Sequence, residues 1–263
     1  MGDNRQRLYA PADHVCGITD VGRVRDHNED TFDVSDDNHI LIVADGLGGH
    51  AAGEVASQLA VETITTWLTD KHEELTAGTE PIDSLLIGAV TAAHEKVFQA
   101  SHSQPGCQGM ATTLIVGYLH GDQLYTCHVG DVRCYMRTAA AFEPITQDHS
   151  LVGMLVQSGR LTADQARVHP AKNEVLQALG VPGNIAPEVN QRALSDGDYV
   201  LLCSDGLWEA LSDSEIKTIV DRQGSMCERV TQLVDQANAA GGWDNITVVL
   251  YKHTAVTEQA AGR

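Results

Sequence analysis

The sequence predicts an α+β fold, in which antiparallel strands alternate with separate groups of helices. Two short apolar runs, 40–44 and 199–203, each end in Asp-Gly and have the β-branched, glycine-bounded composition of buried strands. Residues 110–137 contain three closely connected strands, which is typical of an antiparallel meander. Helical periodicity of apolar residues over 53–69 and 83–99 predicts two helices.

The remaining elements place a single domain over 15–253. A first strand is predicted at 15–19 and a last strand at 245–251. Two further helices are predicted to begin at Ser212 and Ser225, because each serine is followed three residues later by glutamate, as in a capping box. The polar residues 1–14 are predicted to form a loose N-terminal arm, and 254–263 a C-terminal tail.

Residues 148–180 interrupt the strand pattern. A capping box begins at Thr162, and 173–179 is predicted to be a short helix that ends at Gly180. Short helices with few large apolar residues, inserted between strands, are typical of a flap beside a site. An ordinary packed helical connection is an equally good interpretation of this pattern.

Charge and composition exclude several classes of function. The 263-residue chain has 17 basic and 36 acidic residues and a net charge of −19, which argues against nucleic-acid and anionic-membrane partners. No apolar run approaches the ~18 residues of a membrane span, and the polar start is unlike a signal peptide. The six cysteines show no C-x-x-C pair, so reduced thiols and a cytoplasmic location are expected.

Acidic residues recur where predicted strands begin or end. A sheet could bring them together, and clustered carboxylates repel one another unless cations neutralise them. Oxygen-only ligands favour Mg²⁺ or Mn²⁺, and two such ions can activate a bridging water for phosphoryl displacement. Arg25 could hold the phosphate oxygens. The candidate acids are Glu29, Asp30, Asp45, Asp131, Asp205 and Asp244.

Other motifs fit the glycine-rich loop after Asp45 less well. Its glycine spacing matches a dinucleotide-binding turn, but a carboxylate at the mouth would repel a pyrophosphate, and no βαβ unit follows. Glu54 stands where a P-loop needs lysine, and the alternating acids of a calcium loop are absent.

A cysteine-phosphatase loop is a sharper competitor. Cys127-x-x-Gly130-x-x-Arg133 has the spacing of a thiolate and an arginine around a phosphate. The following residues continue a strand pattern, however, whereas a helix N-terminus would be needed to lower the pKa of the thiol. Asp131 would also lie inside the phosphate cradle.

The chain resembles the metal-dependent protein phosphatases of type 2C, in their compact bacterial form. The matching motifs span about residues 16–252 in the family's order. They are Arg25-x-x-x-Glu29-Asp30, Asp45-Gly46-x-Gly48-Gly49-His50-x-x-Gly53-Glu54, Gly109-Met110-Ala111-Thr112-Thr113, Gly130-Asp131-x-Arg133, Ser204-Asp205-Gly206-Leu207-Trp208 and Asp244-Asn245-x-Thr247-Val248-Val249.

This resemblance implies a four-layer αββα sandwich, with two central antiparallel sheets flanked by helices. It implies two core Mn²⁺ or Mg²⁺ ions, held by Asp45, the Gly46 carbonyl, Asp205 and Asp244. Glu29 and Asp30 would bind these ions or their waters, and Asp131 with Asp205 would match a third, weaker site. Arg25 would bind the substrate phosphate, and 148–180 would be the flap.

The implied activity is that of a serine/threonine protein phosphatase, in which a metal-bridging hydroxide attacks phosphorus directly. His50 is either the general acid or a residue that orders its loop. Phosphorylated proteins, a cognate Ser/Thr kinase and the kinase's substrates are the implied partners of a monomeric enzyme. A catalytically inactive fold that binds phosphoproteins is the alternative from another functional class.

Overall fold

The computed structural model describes residues 5–37, 39–48 and 52–255. Two antiparallel sheets form its centre. Their strands are β1 (Arg5–Ala12), β2 (Val15–Asp20), β3 (Asp30–Val34), β4 (Ile40–Leu47), β5 (Ala111–His120), β6 (Gln123–Val129), β7 (Arg133–Arg137), β8 (Phe142–Pro144), β9 (Glu188–Ala193), β10 (Tyr199–Cys203) and β11 (Ile246–Lys252). The helices are α1 (Ala52–Asp70), α2 (His72–Ala77), α3 (Ile82–Ser103), α4 (Leu151–Gln157), α5 (Ala163–Arg167), α6 (Asp205–Trp208), α7 (Asp213–Val220) and α8 (Met226–Ala239).

The first sheet has the strand order β1-β2-β11-β10-β7-β8, and the second has the order β3-β4-β5-β6-β9. Three apolar clusters show how these sheets are layered. One packs α1 and α3 on the outer face of the second sheet, and another packs α6 to α8 on the outer face of the first. The third cluster fills the space between the two sheets. The predicted αββα sandwich is therefore confirmed.

The strand registers bring several chain reversals to one edge of the sandwich. Asp30, the first residue of β3, lies opposite Asp45 near the end of β4. Cys203, the last residue of β10, lies opposite both Val248 of β11 and Arg133 of β7. Since antiparallel neighbours begin where their partners end, residues just outside these strands meet at this edge.

Sequence patterns missed elements that depend on distant partners. The predicted loose arm is wrong for Arg5–Ala12, which forms β1 and pairs with β2. The polar strand β9, with half-buried and exposed positions, has no apolar alternation that would identify it. Residues 173–179 form no helix, because their backbone pairs elsewhere, as in the isolated bridges Ser150↔Val175 and Thr112↔Leu179.

The cysteines differ from expectation at one pair. Cys16 of β2 and Cys227 of α8 form a disulfide with a Cα–Cα distance of 5.3 Å, so the expectation of reduced thiols is wrong there. The other four, Cys107, Cys127, Cys134 and Cys203, are free and buried. Within the described ranges, no helix has the length and apolar character needed to cross a membrane.

Candidate active site

Two aspartates of the second sheet lie at the strand-end edge. Asp30 is buried, and its Oδ2 accepts a hydrogen bond of 2.7 Å from the Ser204 hydroxyl, which belongs to the first sheet's side of the site. The backbone N–H of Thr247 donates to the same hydroxyl oxygen at 3.0 Å. This short chain of bonds connects the two sheets at Asp30, the residue opposite Asp45, so the site is held by the sandwich itself.

Asp205 comes from the first sheet's side. It follows the end of β10 by two residues and begins the single turn α6. Its Oδ1 is buried and has no hydrogen-bond partner within the described structure. A buried carboxylate oxygen without a partner is costly, and a cation is the natural ligand for it.

Close backbone packing explains two glycines of the site. A Cβ on Gly46 would lie 2.2 Å from the Gly53 carbonyl oxygen and 2.5 Å from that of Glu29. The Gly46 N–H donates to the Glu29 carbonyl at 3.1 Å. A Cβ on Gly53 would lie 2.7 Å from the Glu29 carboxyl carbon. Glycine at both positions therefore lets the Glu29 carboxylate and the Gly46 backbone lie beside Asp45.

The loop that carries Arg25 is held against the loop before β11. The Arg25 guanidinium donates to Asp244 Oδ2 at 2.7 Å, and about half of its side chain remains exposed. Asn245 accepts from the Glu29 N–H at 2.8 Å and donates to the Val21 and His27 carbonyls at 3.0 and 2.9 Å. One buried amide thus fixes the position of both Glu29 and the arginine loop.

Crowded carboxylates dominate the electrostatics of this edge. Burial, then the neighbouring Asp30, Asp205, Asp131 and Asp244, raises the pKa of Asp45 well above its usual range. Burial, followed by Asp131 and Asp244, does the same to the pKa of Asp205. Burial also raises the pKa of Asp30 to about 7. The acids repel one another, which is the situation that a bound cation relieves.

Asp131 belongs to the same cluster. It is buried in the turn between β6 and β7, and its carbonyl accepts the Trp208 indole N–H at 3.1 Å. Burial, with the nearby Asp148, raises its pKa to about 7. The structure therefore brings all six predicted acids to one edge, where Asp30 and Asp131 are buried and the other four remain partly exposed. Predicted His50 lies outside the described residues.

The cysteine-phosphatase interpretation is wrong. Cys127 lies inside β6, fully buried in the cluster under α1 and α3, and burial raises the pKa of its thiol to about 12. Arg133 donates to both Asp148 carboxylate oxygens, at 2.9 and 2.7 Å, and stacks on Trp208. The thiol cannot ionise readily, and the arginine already has a bidentate partner.

Several positioning residues stand in the matching sequence motifs but were given no role there. Ser204 and Asn245 lie next to Asp205 and Asp244 in the sequence, yet their bonds reach residues more than 170 positions away. Thr112 likewise donates its hydroxyl to the Asp45 carbonyl at 2.8 Å. The sequence signals for them are their places in these motifs, which for Ser204 and Asn245 lie beside a strand-end acid and for Thr112 fall within strand β5.

A second group of possible metal ligands includes His128, which precedes Asp131 by three residues in the sequence. Single donor atoms of His128, His149 and Glu188 lie within 4.8 Å of one another. His149 Nδ1 accepts the Gly130 N–H at 3.3 Å, so in the neutral ring Nε2 carries the proton and faces Glu188 at 3.8 Å. Ligation through Nε2 would require moving that proton to Nδ1, against the Gly130 N–H. We therefore interpret these contacts as structural support for the turn at Gly130, and not as a metal site.

Comparison with known proteins agrees with this geometry. A family model described as "Protein phosphatase 2C" matches residues 22–243. The chain is 37% identical over 240 residues to the serine/threonine phosphatase stp of Listeria monocytogenes, covering 90% of this chain and 94% of that protein. It is 36% identical over 242 residues to the protein phosphatase PhpP of Streptococcus pneumoniae, covering 89% and 94%.

Solved structures show the same fold. The serine/threonine phosphatase PstP/Ppp of Mycobacterium tuberculosis superposes with a TM-score of 0.81 at 34% identity, covering 91% of this chain and 98% of that one. The catalytic domain of PstP in complex with two manganese ions superposes with a TM-score of 0.79 at 32% identity, covering 91% and 97%. On the family match, these relatives and the shared αββα sandwich, the chain belongs to the protein phosphatase 2C family.

Proposed function

We propose that this protein hydrolyses phosphoserine and phosphothreonine in proteins, with two divalent metal ions at the strand-end edge. The unpartnered, buried Oδ1 of Asp205, beside carboxylates that raise one another's pKa, carries this proposal. The relatives are named as serine/threonine phosphatases, which supports the substrate class. The catalytic unit would span 15–253.

The donor set fits hard cations. Asp45, the Gly46 carbonyl, Asp205 and Asp244 would hold two Mn²⁺ or Mg²⁺ ions, with Glu29 and Asp30 binding the ions or their waters. Asp131 and Asp205 would hold a third, weaker ion. The manganese complex of the related PstP domain supports this assignment. When bound, such ions lower the pKa of a shared water and offset the charge on phosphoryl oxygens.

The chain's own residues would then orient the substrate. Arg25 lies at the exposed rim, where its guanidinium can donate two parallel hydrogen bonds to phosphate oxygens in a forked contact. It has to exchange its bond to Asp244 for the phosphate, which leaves the Asp244 carboxylate available as a ligand. Asn245 keeps the Arg25 loop in place during this exchange, because its three bonds go to that loop's backbone. His50 remains our proposed general acid for the departing serine or threonine oxygen.

A metal-dependence assay with a thiol control tests this function. Hydrolysis of a phosphothreonine peptide should disappear in EDTA, return with Mn²⁺ or Mg²⁺, and be indifferent to thiol alkylation. Activity that survives EDTA would refute the two-metal proposal. If no condition gives activity, calorimetric metal titration separates an inactive phosphoprotein-binding fold, which should bind neither ion well, from an enzyme tested on a poor peptide.

The wider setting is also a proposal. We infer a monomeric cytoplasmic enzyme that reverses the action of a cognate Ser/Thr kinase on its substrates. Four free, buried cysteines support a reducing compartment, while the Cys16–Cys227 disulfide argues against it. Alkylation of this pair in intact cells, followed by mass spectrometry, would show which observation reflects the cellular state. A membrane-bound or exported protein in cell fractions would refute the location.

A further inference from the structure

Two loops run side by side at the rim of the candidate site. The Arg23 N–H donates to the Gly242 carbonyl at 2.7 Å, and two residues further on in both loops Arg25 donates to Asp244 at 2.7 Å. From the first contact to the second, the residue numbers rise by two in both loops, so the two loops run in the same direction. Val24 and Trp243 are therefore bracketed by the same pair of contacts, next to the proposed phosphate-binding arginine and a proposed metal ligand.

Both bracketed residues are large, apolar and exposed. Val24 is 54% exposed and Trp243 is 71% exposed. The Trp243 ring lies against the backbone of Gly241, where a Cβ would come within 2.1 Å of its Nε1. The ring is thus supported from one side and open to solvent on the other. Exposed apolar surface beside a site is typical of a recognition contact.

The surrounding charge limits what this surface can bind. The loops that carry Val24 and Trp243 hold charges of both signs: Arg23 and Arg25 flank Val24, and the acids Asp26, Glu29 and Asp244 lie in or beside the same loops. Charge therefore favours neither an acidic nor a basic flanking residue across the whole surface. An apolar side chain gains contact area with Val24 and Trp243 without adding charge, so it is the partner chemistry that this rim favours.

We propose that Val24 and Trp243 form a rim platform that binds a large apolar side chain flanking the phosphorylated residue of the protein substrate. This inference rests on the proposed phosphatase function and gives it a sequence preference. The platform touches the substrate's neighbouring residue, whereas Arg25 and the acids act on the phosphate.

A matched pair of phosphothreonine peptides tests the platform. One peptide carries phenylalanine on both sides of phosphothreonine and the other carries alanine. For wild-type enzyme with Mn²⁺, we expect kcat/KM to be about tenfold higher for the phenylalanine peptide, mainly through KM. Trp243→Ala should bring this ratio close to one, Val24→Ala should reduce it partly, and Trp243→Phe should retain most of it. Ile87→Ala, a partly exposed residue of α3 far along the chain, is the matched control.

Each outcome has a distinct meaning. A ratio near one in the wild type, or an unchanged ratio in Trp243→Ala, would overturn the platform. Hydrolysis of para-nitrophenyl phosphate, which has no flanking residues, reports separately whether the metal centre works. If the wild type cleaves neither this compound nor either peptide, the proposed function fails first. A concentration-dependent dimer that Trp243→Ala dissociates would assign the surface to a second copy of the chain and overturn the substrate role.

Discussion

The strand-end edge and the flap segment (148–180) lie beside each other but are built differently. At the edge, each acid lies in a strand or within two residues of one, and the register of these strands is fixed by their neighbours. The flap segment contains two short helices and buries few residues, namely Ser150, Val152, Ala178, Leu179 and Gly180. The strand-end edge offers the fixed distances that the proposed chemistry needs, whereas we expect the segment with little core to be the more adaptable of the two.

The flap segment is nevertheless attached to the domain at several points. Arg167 donates to the Glu209 and Leu211 carbonyls at 3.2 Å, and Lys172 pairs with the Glu209 carboxylate at 2.7 Å. A cavity of about 400 Å³ separates the segment from α6 and the start of α7. These polar contacts contribute less to stability than apolar burial does. Local unfolding of the segment should therefore cost less free energy than unfolding of the edge.

Replacing one acid of the strand-end edge and one acid of the flap segment by asparagine should give the largest difference in activity between the two regions. Asp205→Asn removes a proposed metal ligand, so we expect kcat to fall about 100- to 1,000-fold with saturating Mn²⁺. Metal-free Asp205→Asn should melt at the same or a higher temperature than the wild type. The substitution removes a carboxylate that the neighbouring Asp131 and Asp244 repel. Asp164→Asn, at an exposed position of α5, should leave both quantities unchanged. Near-wild-type turnover of Asp205→Asn would contradict the metal-ligand role.

A pair of arginine variants gives the next largest effect. Arg25→Ala should raise KM for a phosphopeptide about 10- to 100-fold with a smaller change in kcat, since it removes a charged contact to the phosphate. Arg160→Ala, at an exposed position of the flap segment, is the matched control and should change KM less than about twofold. An unchanged KM in Arg25→Ala would refute the phosphate role.

The sequence predicted those residues of the edge that are marked by their immediate neighbours, and it gave no role to residues whose partners are distant in the chain. Asp45 and Asp205 were identifiable because each closes a short apolar run with an Asp-Gly pair. Asn245 and Ser204 were not assigned a role, since their hydrogen bonds reach partners 216 and 174 residues away. The Cys16–Cys227 disulfide, with a separation of 211 residues, was missed for the same reason. Strand pairing such as β1 with β2 overrides local polarity, which cannot be read from a short window.

Stability of the metal-free protein should depend on pH through the edge acids. Burial raises the pKa of Asp30 and Asp131 from 3.8 to about 7, so the folded state holds these protons more tightly than the unfolded state. This stabilisation is fully present below pH 3.8 and is lost as the pH rises through 7. We expect the EDTA-treated protein to melt at least about 5 °C lower at pH 8 than at pH 5.5.

Metal should reverse this trend, because ligands bind ions in their deprotonated form and affinity therefore rises with pH. Differential scanning calorimetry at both pH values, with EDTA or with excess Mn²⁺, measures both effects. The Asp205→Asn variant should show a smaller pH dependence than the wild type. A metal-free melting temperature that rises between pH 5.5 and pH 8 would contradict the proposed crowding of the acids.

Substitutions at two helix caps should have the smallest effect, and they test specifically whether the flap segment unfolds separately from the sandwich. Thr162 caps α5, which has no buried residue, and Ser225 caps α8, which packs Val230, Leu233 and Val234 on the first sheet. Both are capping boxes, so the local cost of substitution by alanine should be similar, about 1 kcal/mol. Ser225→Ala should lower the melting temperature by about 2–4 °C, because α8 unfolds with the whole domain.

Thr162→Ala should leave the melting temperature almost unchanged and instead speed hydrogen exchange of the Gln165 amide, which donates to the Thr162 hydroxyl at 3.2 Å. The reason is that a helix without core contacts opens locally, below the free energy of global unfolding. Equal losses of melting temperature in the two variants would mean that 148–180 unfolds together with the sandwich. The segment would then be a packed connection, and its proposed role as an adaptable flap would have to be given up.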